Sequence, residues 1–515
     1  MSTPTIHARE GFRHAPDHRR ETRPCGHAGP GVGRLTGRFR FRLGIDRPGP
    51  LVGLYAALAA GWVGLAGGVA PRVIAAAYGG RSLPALNRFF VGRAPHSLDH
   101  YLGLWRAFSG AVLIAGGLHL ALALALARSG RRDGRSLLGF SMAFLALAVL
   151  SGPRHDYVAD LEIWDAVLRG LDPWWIAPGR DGPLNAYGPL FNALAALYRV
   201  NPMAPKLLFA TAYLVFLIRL LDPGRRTGSG PPRFARVAWF FNPFPWVEVA
   251  YFGHFDVLVA VACVAAVDRR IRGRDASAGV WLGAGVLLKY LPLAILPFLA
   301  LDGRRPRPRL MLAAGATVAA GLAVSALIWG PATFRPLTFA ATRGSTLLSI
   351  FRFLRGPYSP LVVLGLARDV DFLALPCLAA AGLAAFAWCL RRRADPATSA
   401  LAAALTTLLF YRVGFVQYQM VPFLLASYWA LSPARPARAG GFVAAAMGAY
   451  FGWLALFDVY YASFGGVVHP GDPRAWVDDV AGLPTFLLGS ALLVGLLRAA
   501  GGPPRGVPAG RGGSP

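Results

Sequence analysis

Apolar runs approaching the length of a bilayer crossing recur along almost the whole chain, from residue 51 to residue 498. In hydrocarbon every backbone N–H and C=O must find a partner inside the protein, so such runs of ~20 residues are expected to be helices. Hydrophobic residues make up 55% of the 515 and charged residues only 15%, against ~25% charge in soluble domains. The expected fold is an all-α integral membrane bundle with about 12–14 crossings.

The net charge of +28 invites a nucleic-acid partner, but the basic residues are parcelled into short loops between apolar runs. That is the positive-inside pattern, and it needs no nucleic acid. Of 53 basic residues only Lys206 and Lys289 are lysines. This skew, with abundant Ala, Gly and Pro, fits a GC-rich genome and a bacterial cytoplasmic membrane. Cys25, Cys263, Cys377 and Cys389 lack metal-ligand or paired spacing, so neither zinc nor disulfides are expected.

Residues 1–48 are an arginine-rich stretch without apolar periodicity, expected to be a disordered cytoplasmic tail. Residues 501–515 are expected to be a second disordered tail. With basic loops inside, both termini are cytoplasmic, and 153–186, 251–254, 331–358 and 459–482 fall on the outer face. Segment 278–301 has basic clusters at both ends, so it should enter and leave on one side. Its centre, Lys289-Tyr290-Leu291-Pro292, suits a broken hairpin because proline removes a helix donor and disfavours helix before it.

One outer segment, Asp156–Gly188, holds six acids (Asp156, Asp160, Glu162, Asp165, Asp172 and Asp181) of the chain's 25. Asp160 and Glu162 could share a site at a turning backbone. Ile163, Trp164, Val167, Leu168 and Leu171 recur at the spacing of an amphipathic interfacial helix. Asp160 then either acts as general base toward an acceptor hydroxyl or merely caps that helix. Gly253-His254-Phe255-Asp256 lies on the same face and either contacts substrate or forms a polar cap. Lys289 sits inside an apolar run, which costs ~2.5–3.5 kcal/mol without a partner; a lipid phosphate or a protein acid would serve. Arg343, with Arg352 and Arg355 nearby, is a second phosphate candidate or a headgroup contact. Trp174, Trp175, Tyr187 and Tyr418 can stack on sugar or isoprenoid, or belong to the aromatic belt; His155 extends the acidic site or is solvated.

Asp160-Leu161-Glu162-Ile163-Trp164, Gly170-Leu171-Asp172-Pro173-Trp174 and Tyr187-Gly188-Pro189-Leu190 resemble the first outer loop of GT-C glycosyltransferases. The nearest branches are the actinobacterial α-mannosyltransferases that use polyprenyl-phosphate mannose and the catalytic subunit of GPI mannosyltransferase I. The catalytic aspartate of the first maps onto Asp160. The Asp-x-Asp motif of the second maps onto Asp160 and Glu162, the latter a departure. Asn242-Pro243, Gly253-His254-Phe255-Asp256, Gly279-Val280-Trp281-Leu282-Gly283 through Pro292, and Gln417-Tyr418 continue the resemblance, which covers about 137–432 and implies a catalytic core there, with 49–136 as extra N-terminal transmembrane helices and 433–500 as C-terminal ones.

The resemblance implies inverting transfer of a hexose, mannose above all, from a polyprenyl-phosphate sugar to an outer-face glycan or glycolipid. Asp160 would be the base, and Glu162, His254, Asp256, Lys289, Arg343, Tyr187, Gln417 and Tyr418 would bind substrate. No divalent metal is expected, and a small accessory subunit is compatible. The rival readings are a lipid-linked saccharide or polymer transporter, and an oligosaccharide-to-protein transferase, which would bring a metal and a large outer domain.

Overall fold

The computed structural model describes residues 48–78, 97–129, 134–154, 156–174, 185–220, 241–302, 305–367, 370–431, 441–464 and 475–500. All fall within one compact unit, Ile45–Pro515. The two expected tails, apart from Pro48, lie outside the described residues, as do His155, Trp175, Asp181 and the basic cluster Arg225/Arg226/Arg233/Arg236.

The chain is helical almost throughout. The N-terminal spans are α1 (Pro48–Gly64), which runs through a π turn into α2 (Ala70–Tyr78), and α3 (Leu98–Arg128). They are followed by α4 (Gly134–Leu150), α5 (Asp156–Leu168), α6 (Ala204–Leu220), α7 (Asp256–Ile271), α8 (Asp275–Leu288), α9 (Pro308–Trp329), α10 (Val370–Arg392), α11 (Pro396–Phe410) and α12 (Met420–Leu431). The long helices α13 (Gly441–Phe464) and α14 (Gly482–Ala499) follow. Among the described residues, strand is confined to two pairs of two-residue strands: antiparallel Leu301–Asp302 with Arg305–Pro306, and parallel Thr346–Leu347 with Val413–Gly414.

Among the described residues, six helices are long and apolar enough to cross a membrane, and a pair bent by 114° at residues 201–203 makes a seventh. The expectation of 12–14 crossings also counted shorter runs. Those runs are helices, but α8 has 14 residues, α11 has 15 and α12 has 12, or roughly 18–22 Å at helical rise. They need not span alone, because α11 and α12 are buried along nearly their whole length. Broken backbone at membrane depth is tolerated where protein rather than lipid surrounds it.

Segment 275–300 breaks where expected. α8 ends at Leu288, Lys289 is extended (φ −158°, ψ 137°), and a 3-10 turn over Leu291–Ala294 leads into Leu296–Ala300. Both ends of the segment lie together: Arg270 Nε donates to the Leu299 carbonyl at 3.3 Å, and Asp275 meets Arg270 at 3.8 Å and Arg307 at 3.4 Å. α8 and α9 then run side by side in one direction. Gly279 lies against Leu310–Ala314, Gly283 against Thr317, and Gly321 against Leu287. Small residues permit this close approach, which is how helices associate without a hydrophobic drive.

Lys206 ties three elements at the end where α4 and α6 meet. Its buried ammonium donates to Ser151 Oγ (2.7 Å), the Gly152 carbonyl (2.8 Å) and the Tyr251 carbonyl (2.6 Å). All three of its donors are thereby used. Gly253, at φ +83°, lies over the Lys206 stem, and a Cβ there would approach it to 2.9 Å.

Two stability predictions follow from this packing. A Cβ at Gly279 would meet Ala314 N at 2.8 Å and Ala313 Cβ at 2.9 Å, whereas Gly315 has nothing within 4 Å. Gly279→Val should therefore lose about 1–3 kcal/mol and melt earlier in detergent, with Gly315→Ala near wild type. Lys206→Met strands two buried carbonyls and should cost roughly 2–4 kcal/mol; wild-type melting of this variant would show that the three bonds do not hold the junction.

Candidate active site

α5 begins at Asp156, ahead of the expected start, so Asp160 is no N-cap; it stands in the second turn, 2% exposed. The helix ends at Leu168, where Gly170 (φ +72°) lets Leu171 N reach back to the Ala166 carbonyl at 2.9 Å. Ile163 and Trp164 are core residues, and Trp164 Nε1 donates to the Phe191 carbonyl at 3.0 Å. Helical spacing puts Asp156 and Asp160 on one face, four residues apart, and turns Glu162 about 200° away from Asp160. Glu162 is exposed. The second carboxylate beside Asp160 is therefore Asp156, because the backbone here is helical and not a turn.

Opposite α5, the chain turns back at Gly253. A π turn over Trp246–Phe252 ends there, and the left-handed glycine delivers His254, with its backbone N–H bonded to the Glu248 carbonyl at 2.9 Å. His254 Nδ1 lies 2.7 Å from Glu248 Oε2, and Nε2 lies 3.8 Å from Asp156 Oδ2. Gln417 Nε2 donates to the same Asp156 oxygen at 3.0 Å. Asp256, the first residue of α7, pairs with Lys289 Nζ at 2.5 Å. The protein acid expected as one possible partner of Lys289 is thus in place.

Aromatic rings enclose that cation. Lys289 Nζ stands 3.7 Å from the Tyr418 ring centroid, 5.3 Å from Phe255 and 5.5 Å from Tyr187. Tyr187 is held there because Gly188 N donates to the Leu288 carbonyl at 3.1 Å, and a Cβ on Gly188 would collide with the Leu287 carbonyl. Arg343 bonds the Tyr418 side chain and lies 4.8 Å over Phe415. The parallel pair Thr346–Leu347 with Val413–Gly414 brings those two loops together. Lys289, Arg343, Tyr187 and Tyr418 share a cavity of about 410 Å³ whose other walls include Leu291, Leu293, Ala294 and Leu378.

Burial pushes the Asp160 carboxyl well above the usual carboxylate range; Asp156 and Asp256 push the same way, and His254 and Lys289 oppose them. For His254 burial works downward, but Glu248, through charge and hydrogen bond, outweighs it. With Asp156 and Asp256 added, its pKa rises to about 9. His254 is therefore an imidazolium at neutral pH and supplies positive charge rather than a base.

Of the residues singled out from sequence, the structure gathers Asp160, His254, Asp256, Lys289, Tyr187, Gln417, Tyr418 and Arg343, and leaves Glu162 on another flank. Arg352 and Arg355 instead pair with Asp479 at 2.5 Å and Asp371 at 3.2 Å. Trp174 is a core residue, donating to the Tyr187 carbonyl at 3.0 Å. Sequence reasoning passed over Glu248, Asp458 and the place of Lys206. Each is an ionisable side chain inside an apolar run, the signal that drew attention to Lys289. Among the described residues, no three His, Cys, Asp or Glu side chains are grouped to hold a metal ion.

No curated protein and no solved structure matches the chain. Residues 186–412 match the family model of glycosyltransferase family 87. That stretch carries His254, Asp256, Lys289 and Arg343, and begins after the α5 acids. The match supports the GT-C superfamily and places this integral membrane protein among the glycosyltransferases.

Proposed function

We propose that the protein transfers a hexose, mannose first among the candidates, from a polyprenyl-phosphate sugar to a hydroxyl of a glycan or glycolipid, with inversion. The site would face the outer side of a bacterial cytoplasmic membrane, with both termini cytoplasmic. One observation carries this reading: the buried Asp160 lies within electrostatic reach of Lys289 and Tyr187, two residues of a cavity that combines basic side chains with aromatic and aliphatic walls. A polyprenyl-phosphate sugar has the complementary parts, an anionic phosphate between a sugar and a long apolar chain. In GT-C enzymes of the kind this chain resembles, an aspartate at the position of Asp160 does the base chemistry.

Asp160 takes the acceptor proton as the acceptor oxygen bonds to the anomeric carbon. The bond from that carbon to the phosphate oxygen breaks on the opposite face, and the phosphate leaves with the electron pair. Lys289 and Arg343 stabilise the growing phosphate charge, an effect that is strong in a site without water. Asp256 holds the Lys289 ammonium in place. A monophosphate leaving group carries less charge than a pyrophosphate, so these cations suffice without a metal. Tyr187 and Tyr418 flank the sugar–phosphate, while Asp156 and Gln417 offer hydrogen bonds at the half-open side.

Membranes carrying the wild type or Asp160→Asn, supplied with radiolabelled polyprenyl-phosphate mannose, test the reading. Asp160→Asn should lower transfer about 10²–10⁴-fold at equal expression; undiminished transfer would remove Asp160 from the mechanism. The base must be ionised, so its raised pKa sets the acid limb of the pH–rate profile. Asp156→Asn removes a negative neighbour and should move that limb to lower pH. His254→Gln removes a positive one and should move it to higher pH.

A further inference from the structure

The expected pH dependence of Asp160 uses His254 as a cation, and that charge depends on what lies behind it. One ring nitrogen faces Asp156 on α5, while the other is bonded to Glu248. Glu248 is 1% exposed, and its carboxyl is in hydrogen-bonding contact with that of Asp458, which is 0% exposed. Asp458 lies in α13, a helix apolar enough to cross a membrane and outside the stretch matched by the family model. Among the described residues no N–H or neutral O–H group donates to either Asp458 oxygen.

Two carboxylates in contact and out of water cannot both stay ionised. Glu248 has the His254 cation at 2.7 Å, and among the described residues no cation pairs with Asp458, so the single negative charge belongs on Glu248. We infer that Asp458 is a positioning residue, a neutral carboxylic acid whose O–H donates to Glu248. It thereby holds Glu248 as the carboxylate and His254 as the imidazolium that faces Asp156 and Asp160. No net proton is moved: one carboxyl keeps its proton, and the other keeps its charge.

Other titratable groups face this chain from each packed element. Asp156 and Asp160 come from α5, Asp256 with Lys289 from α7 and the end of α8, and Tyr461 from α13. Asp478, from the short helix Ala475–Val480, reaches Tyr461. None of these stands between Asp458 and Glu248 as a hydrogen-bond donor.

The kinetic consequence rests on the proposed transfer reaction; the protonation state does not. In detergent-purified protein at neutral pH, the infrared difference between wild type and Asp458→Asn should show loss of one protonated-carboxyl C=O stretch. Its absence would overturn the inference whether or not the protein transfers sugar. In the transfer assay Asp458→Asn keeps a donor to Glu248 and should leave the acid limb in place. Asp458→Leu should move it to higher pH, in the direction of His254→Gln, and the double variant Asp458→Leu/His254→Gln should move it no further than His254→Gln alone. An unmoved limb in Asp458→Leu, or an equal shift in Asp458→Asn, would also overturn it. A band lost as expected in a protein that transfers no sugar would leave this inference standing and reject only the proposed function.

Discussion

The Lys206 ammonium and the three oxygens around it set the geometry on which the site depends. Ser151 and Gly152 close α4 just before α5 begins, and Tyr251 closes the π turn just before His254. The two chain segments that deliver Asp156 with Asp160, and His254 with Asp256, are therefore referenced to one buried cation. Each would otherwise leave carbonyl groups facing a low-dielectric interior, where an unpaired acceptor is costly. A lysine suits the position better than an arginine. Its compact charge carries three donors on a thin stem, whereas a guanidinium is a flat fork that needs coplanar acceptors. In a chain whose basic residues are otherwise all arginine, both lysines are buried at this centre.

Apart from Asp156 and Asp160 on α5, the candidate side chains sit where helices break or begin. His254 follows a left-handed glycine, Lys289 follows the last residue of α8, Arg343 follows the helix Arg335–Thr342, and Gln417 and Tyr418 lie in a 3-10 turn. A continuous helix bonds its own backbone and aims side chains outward at fixed intervals. A break frees the chain to turn polar groups toward one point, at the cost of backbone pairing that neighbours must restore. This fits the short helices around the breaks, α8, α11 and α12, most of whose residues are buried. In contrast, α1 and α9 are long and carry most of their surface outward.

How much of this was legible in the sequence follows the same division. The helical class was readable from apolar run length, and the break at Lys289 from a cation and a proline in one run. The convergence of the acidic segment with Gly253–Asp256 was readable from loop charge. Glu162 was misplaced because i, i+2 acids share a site only on an irregular backbone, and here Asp156 starts the helix early. The pairings Glu248 with His254 and Asp256 with Lys289 join residues 6 and 33 positions apart. No local pattern announces them, although an acid within an apolar run flags each participant. Trp174 looked interfacial because tryptophan near a membrane loop usually is; its indole N–H instead finds a backbone carbonyl inside the protein.

As the base of the proposed transfer, Asp160 must satisfy two demands that pull in opposite directions. Burial makes its carboxylate a stronger base, which favours removing a proton from a hydroxyl as the new bond forms. The same burial, reinforced by Asp156, raises the population of the protonated form that cannot act. Cations resolve the conflict if their charge is present near Asp160 but not delivered through a direct salt bridge, which would weaken the base. His254 and Lys289 meet that condition: each lowers the Asp160 pKa while its primary bond goes to another acid, Glu248 or Asp256. Those two buried pairs are thus poor candidates for replacement by apolar residues of equal volume, even where such a swap would stabilise the fold. What they contribute is the ionisation of a third carboxylate that neither pair touches directly.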